Sequence, residues 1–172
     1  TSLALILSQA PDVLAGATLV SGWSWIPAAG LNATFRLDGF GLLFALLILG
    51  IGLLVILYAR YYLSPEESKE RFYGLLLLFM GAMLGVVLAE NLLLLVTFWE
   101  LTSLSSFLLI GFWRHDADAR RGARLALMVT GAGGLALLAG VLLIGHVVGS
   151  FELSDVLAAG PVIKAHPLYE TM

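Results

Sequence analysis

Four long stretches almost free of charge constrain this chain more than any other feature. Phe40–Tyr58 runs 19 residues and Phe72–Ala89 runs 18, neither with a charged side chain. Leu92–Trp113 runs 22 residues with Glu100 as its single charge, and Leu125–Ile144 runs 20 with none. Crossing a hydrocarbon core of about 30 Å takes roughly 20 helical residues at about 1.5 Å each. All four runs fit. Within lipid a helix satisfies its own backbone groups, whereas barrel strands are shorter and alternate in polarity, which these runs do not. The expected fold is all-α, a polytopic transmembrane helix bundle with helices at about 40–58, 72–89, 92–113 and 125–144.

Composition agrees. The 172 residues are 60% hydrophobic and 12% charged, with a mean hydropathy of +0.98. Soluble domains are about 45–50% apolar and roughly 25% charged, so the solvent expected here is the lipid bilayer. With no cysteine, disulfides and thiolate metal sites are excluded, and a net charge of −3 does not suit a nucleic-acid partner. No basic segment precedes the apolar residues after Thr1, so a signal peptide is not expected and residues 1–172 read as part of a larger membrane domain. Thr1–Val20, broken by Gln9, Pro11 and Asp12, reads as a partial N-terminal helix or a surface segment. "SGWSWIPAAGLNATFRLDG" after it reads as a loop with interfacial aromatics.

Basic residues orient the bundle. Arg60, Lys69 and Arg71 follow the first clear helix, and Arg114, Arg120, Arg121 and Arg124 follow the third. Arg36 and Lys164 fall on the other side, so loops 59–71 and 114–124 are expected in the cytoplasm. Glu66, Glu67 and Glu70 offset charge in the first of these loops, but acids count little in this rule. Glu90-Asn91 must then be a very tight external turn, with Glu90 read as a solvated turn residue. Gly81 and Gly85 form a small-residue pair in the second helix, and Ala132, Ala136 and Gly140 line one face of the fourth beside "GAGG" at 131–134. Such faces let helix backbones approach. Asp38 reads as the N-cap of the first clear helix. His115, His146 and His166 are too scattered for metal-ligand spacing, and no nucleophile–base set or phosphate loop is present. No metal, cofactor or enzymatic activity is expected.

Glu100 is the exception to the apolar pattern. An ionised carboxylate at mid-bilayer costs at least roughly 2.5–3.5 kcal/mol on insertion scales. It persists beside a cation, beside water, or in a neutral form that ionises on occasion. Burial raises a carboxyl pKa and a nearby cation lowers it, so together they poise the group to bind and release a proton, which Leu and Gln cannot do. Thr97 and Ser103, three residues to either side, are candidates for supporting Glu100 through water. Thr102, Ser105 and Ser106 add further hydroxyls, which also commonly glue membrane helices together. No Lys or Arg within the four runs matches Glu100 in depth, so a basic partner must lie outside this chain.

"FRLDGFGLLFALLILGIGLLVILYARYYLS", "RFYGLLLLFMGAMLGVVLAENLLLLVTFWELTSLSSFLLIGFW" and "HPLY" together resemble the large A-type subunit of the Mrp-type multi-subunit Na⁺/H⁺ antiporters, over roughly Trp25 to Tyr169. More distantly they resemble the proton-pumping antiporter-like subunits of respiratory complex I and of membrane-bound hydrogenases. The resemblance implies that Glu100 matches the family's essential glutamate on the fifth transmembrane helix. The four helices would then be the third to sixth, with Thr1–Val20 the end of the second. In the family that glutamate pairs with a lysine on the seventh helix. Lys164, in a polar stretch before His166-Pro167, is not that lysine. The implied activity is exchange of Na⁺ or K⁺ for H⁺ in a bacterial inner membrane, in complex with other subunits and without a cofactor. A proton-pumping subunit of a redox complex is the alternative of the same class, and a structural scaffold subunit the alternative of another.

Overall fold

The computed structural model describes residues 2–64, 67–113 and 115–167. Glu66, Arg114 and the end of the "HPLY" resemblance therefore lie outside the described residues. Helix α1 (Ser2–Leu14) leads into strands β1 (Leu19–Ile26) and β2 (Leu31–Leu37). Four long helices follow: α2 (Gly39–Tyr62), α3 (Lys69–Leu88), α4 (Leu92–Ile110) and α5 (Ala117–Val148). Two short ones, α6 (Leu153–Ala158) and α7 (Gly160–Ala165), complete the described chain. The four long helices are long and apolar enough to cross a membrane, and α1 is a shorter apolar helix. The fold is a polytopic membrane helix bundle.

Each helix ends where its chemistry changes. Asp38 caps α2 by accepting a hydrogen bond from the Gly41 amide at 2.9 Å. Asn91 caps α4 and Asp116 caps α5 in the same way. Gly149 stops α5 in the left-handed region, at φ 79°, a conformation glycine adopts without a Cβ penalty. At 32 residues α5 is about 48 Å long, more than the bilayer core needs, and its charged first turns project beyond the apolar part.

The helices pack in sequence order, with α4 held between α3 and α5. Leu49, Leu76 and Met80 form one buried cluster, joined by Leu3 and Ile6 of α1. Gly52 leaves the room that the Met80 thioether fills. A second cluster, Ala59, Leu63 and Phe112, closes one end of the bundle. There Phe72 meets Phe112 edge-on at 5.4 Å, and the Arg71 guanidinium lies 5.5 Å above the Phe112 ring. Trp113 donates its indole N–H to Glu67, tying the two loops at this end together. Arg60, Lys69 and Arg71 thus share one end with Arg120, Arg121 and Arg124.

The segment read as a loop is instead an antiparallel hairpin. β1 pairs with β2 from Leu19–Leu37 to Ile26–Leu31, around a 3₁₀ turn at Pro27–Ala29. Gly30, at φ 68°, closes the turn. Gly22 is needed because a Cβ there would lie 2.7 Å from the Ala33 carbonyl oxygen. β1 buries neither face, so its sequence lacks the alternation that marks a half-buried strand.

Small residues also behave unevenly. Gly85 meets the Phe98 ring of α4, whereas Gly81 and Gly140 have nothing within 4 Å of a built Cβ. Ala132 and Ala136 are exposed. The face expected to bring helices together is open in α5, and Gly134, on another side, makes the approach instead.

Candidate functional site

At the hairpin end, three residues turn the chain from α3 into α4. Ala89 bridges to Phe35 of β2, and the Glu90 amide donates to the Thr34 carbonyl at 2.9 Å. Asn91 bridges to Glu152, and the Leu153 amide donates to the Glu90 carbonyl at 2.7 Å. Glu90 is not a solvated turn residue: it is 3% exposed. Its Oε1 accepts from the Ser154 amide at 3.0 Å, and its Oε2 lies 3.7 Å from Arg36 Nη1. Arg36 also reaches Asp38, 3.3 Å away. Asn91, 1% exposed, accepts from the Leu93 and Leu94 amides and donates to the Gly30 carbonyl and to Glu152. Asn32 donates to the same Glu152 oxygen at 2.8 Å. The tightness of the turn explains the burial: strand, turn and the segment before α6 all need its backbone, so they close over it.

Glu100 is placed quite differently. It lies nine residues beyond the Asn91 cap and ten before Ile110, about 14 Å along α4 from the hairpin end. The residue is half-buried, and its Oε1 is buried with no hydrogen-bond partner among the described residues. That oxygen points at Gly134 of α5, where a Cβ would overlap it. Phe98, two residues earlier and so roughly 200° round the helix, points the other way into Gly85 of α3. One glycine on each neighbour therefore admits a large α4 side chain. Farther along the same pair of helices, a Cβ on Gly111 would lie 3.5 Å from Ala123 Cβ. Residue 100 of α4 and Gly111 at its C-cap thus face 134 and 123 of α5, the even spacing of an antiparallel pair.

The hydroxyls expected to support Glu100 bond elsewhere. Thr97 is exposed and donates to the Leu93 carbonyl at 2.8 Å. Ser103 is buried and donates to the Trp99 carbonyl at 3.3 Å. Thr102 and Ser105 likewise bond carbonyls of the preceding turn. Each keeps acceptor lone pairs, but its proton is committed to the helix. Gly134 escapes sequence reasoning because a glycine among other glycines gives no sign of which one faces a side chain. Among the described residues no group of three or more His, Asp or Glu is placed to hold a metal ion.

Two family models match the chain. Residues 25–73 match the N-terminal region of complex I (NADH-ubiquinone oxidoreductase) chain 5, and residues 89–167 match the transmembrane region of NADH:quinone oxidoreductase and Mrp antiporter subunits. A probable K⁺/H⁺ antiporter A/B subunit from Rhizobium meliloti is 57% identical over 94% of this chain and 16% of its own length. A Na⁺/H⁺ antiporter A1 subunit from Staphylococcus haemolyticus is 48% identical over 95% of this chain and 20% of its own. The chain thus spans no more than about a fifth of the curated relatives it matches. An Mrp complex structure from Dietzia sp. superposes with a TM-score of 0.84 at 34% identity, over 97% of this chain and 18% of that one. An archaeal membrane-bound sulfane sulfur reductase shares the fold, with a TM-score of 0.70 at 18% identity, over 99% of this chain and 26% of that one. The chain belongs to the antiporter-like membrane subunits that complex I and Mrp antiporters have in common, and its match within them is to the A-type subunit of Mrp antiporters.

Proposed function

We propose that residues 1–172 are part of a membrane cation/proton antiporter subunit that passes H⁺ through Glu100 in exchange for Na⁺ or K⁺. One observation carries this reading: a carboxylic acid stands midway along a membrane helix with a buried oxygen that accepts nothing. A buried acceptor left unsatisfied costs about 1–3 kcal/mol, more for a charge. Glu90 and Glu152 also leave their Oε2 atoms buried and unbonded, but each fixes its Oε1 with donors, which Glu100 does not. Glu100 instead keeps its acceptor capacity for a proton, or for a cation brought by a helix beyond this stretch.

The transport reading follows from the relatives' names, which join H⁺ to Na⁺ or K⁺. Thr97 and Ser103 support the relay through lone pairs that remain after back-bonding to the helix. Other subunits of a multi-subunit complex are the partners, and the basic end, with loops 59–71 and 114–124, faces the cytoplasm of a bacterial inner membrane. The chain is a transporter subunit, not an enzyme, and needs no cofactor of its own. The same-class alternative, a proton-pumping subunit of a redox complex, draws support from the complex I family model. Redox centres in the purified assembly would favour it.

In the complete complex, Glu100→Gln keeps the shape of the side chain and removes its titration. Antiport in inverted membrane vesicles should fall to background while the complex assembles in normal amount. Full antiport in that variant contradicts the role given to Glu100.

A further inference from the structure

We infer that Gly134 is a positioning residue for Glu100, its missing side chain forming the niche on α5 that sets where the carboxyl group stands. This inference rests on the reading of Glu100 as a proton relay. It explains one glycine of "GAGG" specifically. Built Cβ atoms on Gly131 and Gly133 meet nothing within 4 Å, whereas one on Gly134 would overlap Glu100 Oε1 and approach Cδ to 2.8 Å. The Trp99 ring edge, 3.5 Å from the same point, borders the niche. Membrane helices accept glycine widely, but only at this one of the three glycines does the absent methyl coincide with an ionisable atom.

The second observation is independent of helix packing. The oxygen that enters the niche is buried and has no hydrogen-bond partner among the described residues, so no donor there fixes it. Shape does so instead. The α5 backbone lies on one side and Trp99 borders another, which leaves Glu100 few rotamers. A flexible carboxylate is a poor stepping stone, because proton transfer needs donor and acceptor within hydrogen-bond reach. An alanine at 134 would meet the tip of a flexible side chain, not backbone. The expected response is a swing of Glu100 away from α5 with the bundle intact.

The test uses the complete complex. Gly134→Ala should lower antiport at least tenfold at normal assembly, since a misplacement of about 1 Å costs roughly 100-fold where geometry is limiting. Gly133→Ala, an equally conservative change one residue away, should transport at the wild-type rate. In a Glu100→Asp background the carboxyl ends one methylene short of the niche, and adding Gly134→Ala should cost no more than about twofold. Gly134→Ala at wild-type rate, or an equal loss in the Glu and Asp backgrounds, overturns the inference.

Melting of the purified complex decides the matter where Glu100→Asp proves inactive. In a Glu100→Ala background the niche is vacant, so Gly134→Ala should raise the melting temperature through better helix propensity. In the wild-type background it should not. The same shift in both overturns the inference, and so does a Gly134→Ala complex that fails to assemble and is not restored by Glu100→Ala. These readouts do not depend on transport. If Glu100→Gln transports normally, the relay reading fails by itself; if the two melting shifts are equal, the niche fails by itself.

Discussion

Glu90 and Glu100 stand ten residues apart, one in the turn that leads into α4 and one at the middle of that helix, and the protein treats them in opposite ways. Glu90 is nearly inaccessible, and its carboxylate has an amide donor on one oxygen and Arg36 near the other. Around it Asn91, Asn32, Glu152 and Asp38 form a continuous polar lock at the hairpin end. Glu100 has a glycine opposite its buried Oε1 and, among the described residues, no donor to that oxygen. The difference teaches that burial alone does not mark a working acid. Glu90 is held by a donor and an arginine, whereas Glu100 is confined by shape, as the proton relay proposed for it requires.

If the contrast is right, substitutions in the two regions should separate stability from transport. Asn91→Ala should have the largest structural effect. It removes the α4 cap and the donor to the buried Gly30 carbonyl, and leaves Glu152 Oε1 with Asn32 alone, costing about 3 kcal/mol. Chemical denaturation of the purified complex reads the loss, while antiport per assembled complex should persist. Loss of antiport at unchanged stability would erase the distinction. Asp38→Ala should cost about 1 kcal/mol through the α2 cap. Its pairing with Arg36 adds little, because that pair is partly exposed. Thr97→Val should matter least. Its stability should stay within about 0.5 kcal/mol, since the exposed hydroxyl only returns a bond to its own helix. Antiport should fall only modestly, and a fall as deep as that of Glu100→Gln would make Thr97 a relay residue.

Much of this contrast is invisible in the sequence, for physical reasons. The long helices are legible because lipid demands unbroken apolar runs, and Asp38 because capping is a local hydrogen bond. The α5 ends are less so: Arg120, Arg121 and Arg124 are charged yet helical, since a helix continues beyond the bilayer until a cap stops it. The hairpin escapes because β1 is exposed on both faces. Glu90 reads as solvated because a turn of three residues between long helices looks open, and its cover comes from Arg36 and Ser154, 54 and 64 positions away. Glu100 itself stands out at once, an acid in an apolar run. Its niche does not, because which glycine faces which side chain is set by the antiparallel register of α4 and α5.

In the proposed function Glu100 gains and loses a proton inside the membrane. Infrared difference spectroscopy of the complete complex, recorded between acid and alkaline buffer, measures this directly. A protonated-carboxyl band should grow on acidification in the wild-type complex and be missing from Glu100→Gln. The same band at full strength in Glu100→Gln, or no band at any pH in the wild type, would contradict it.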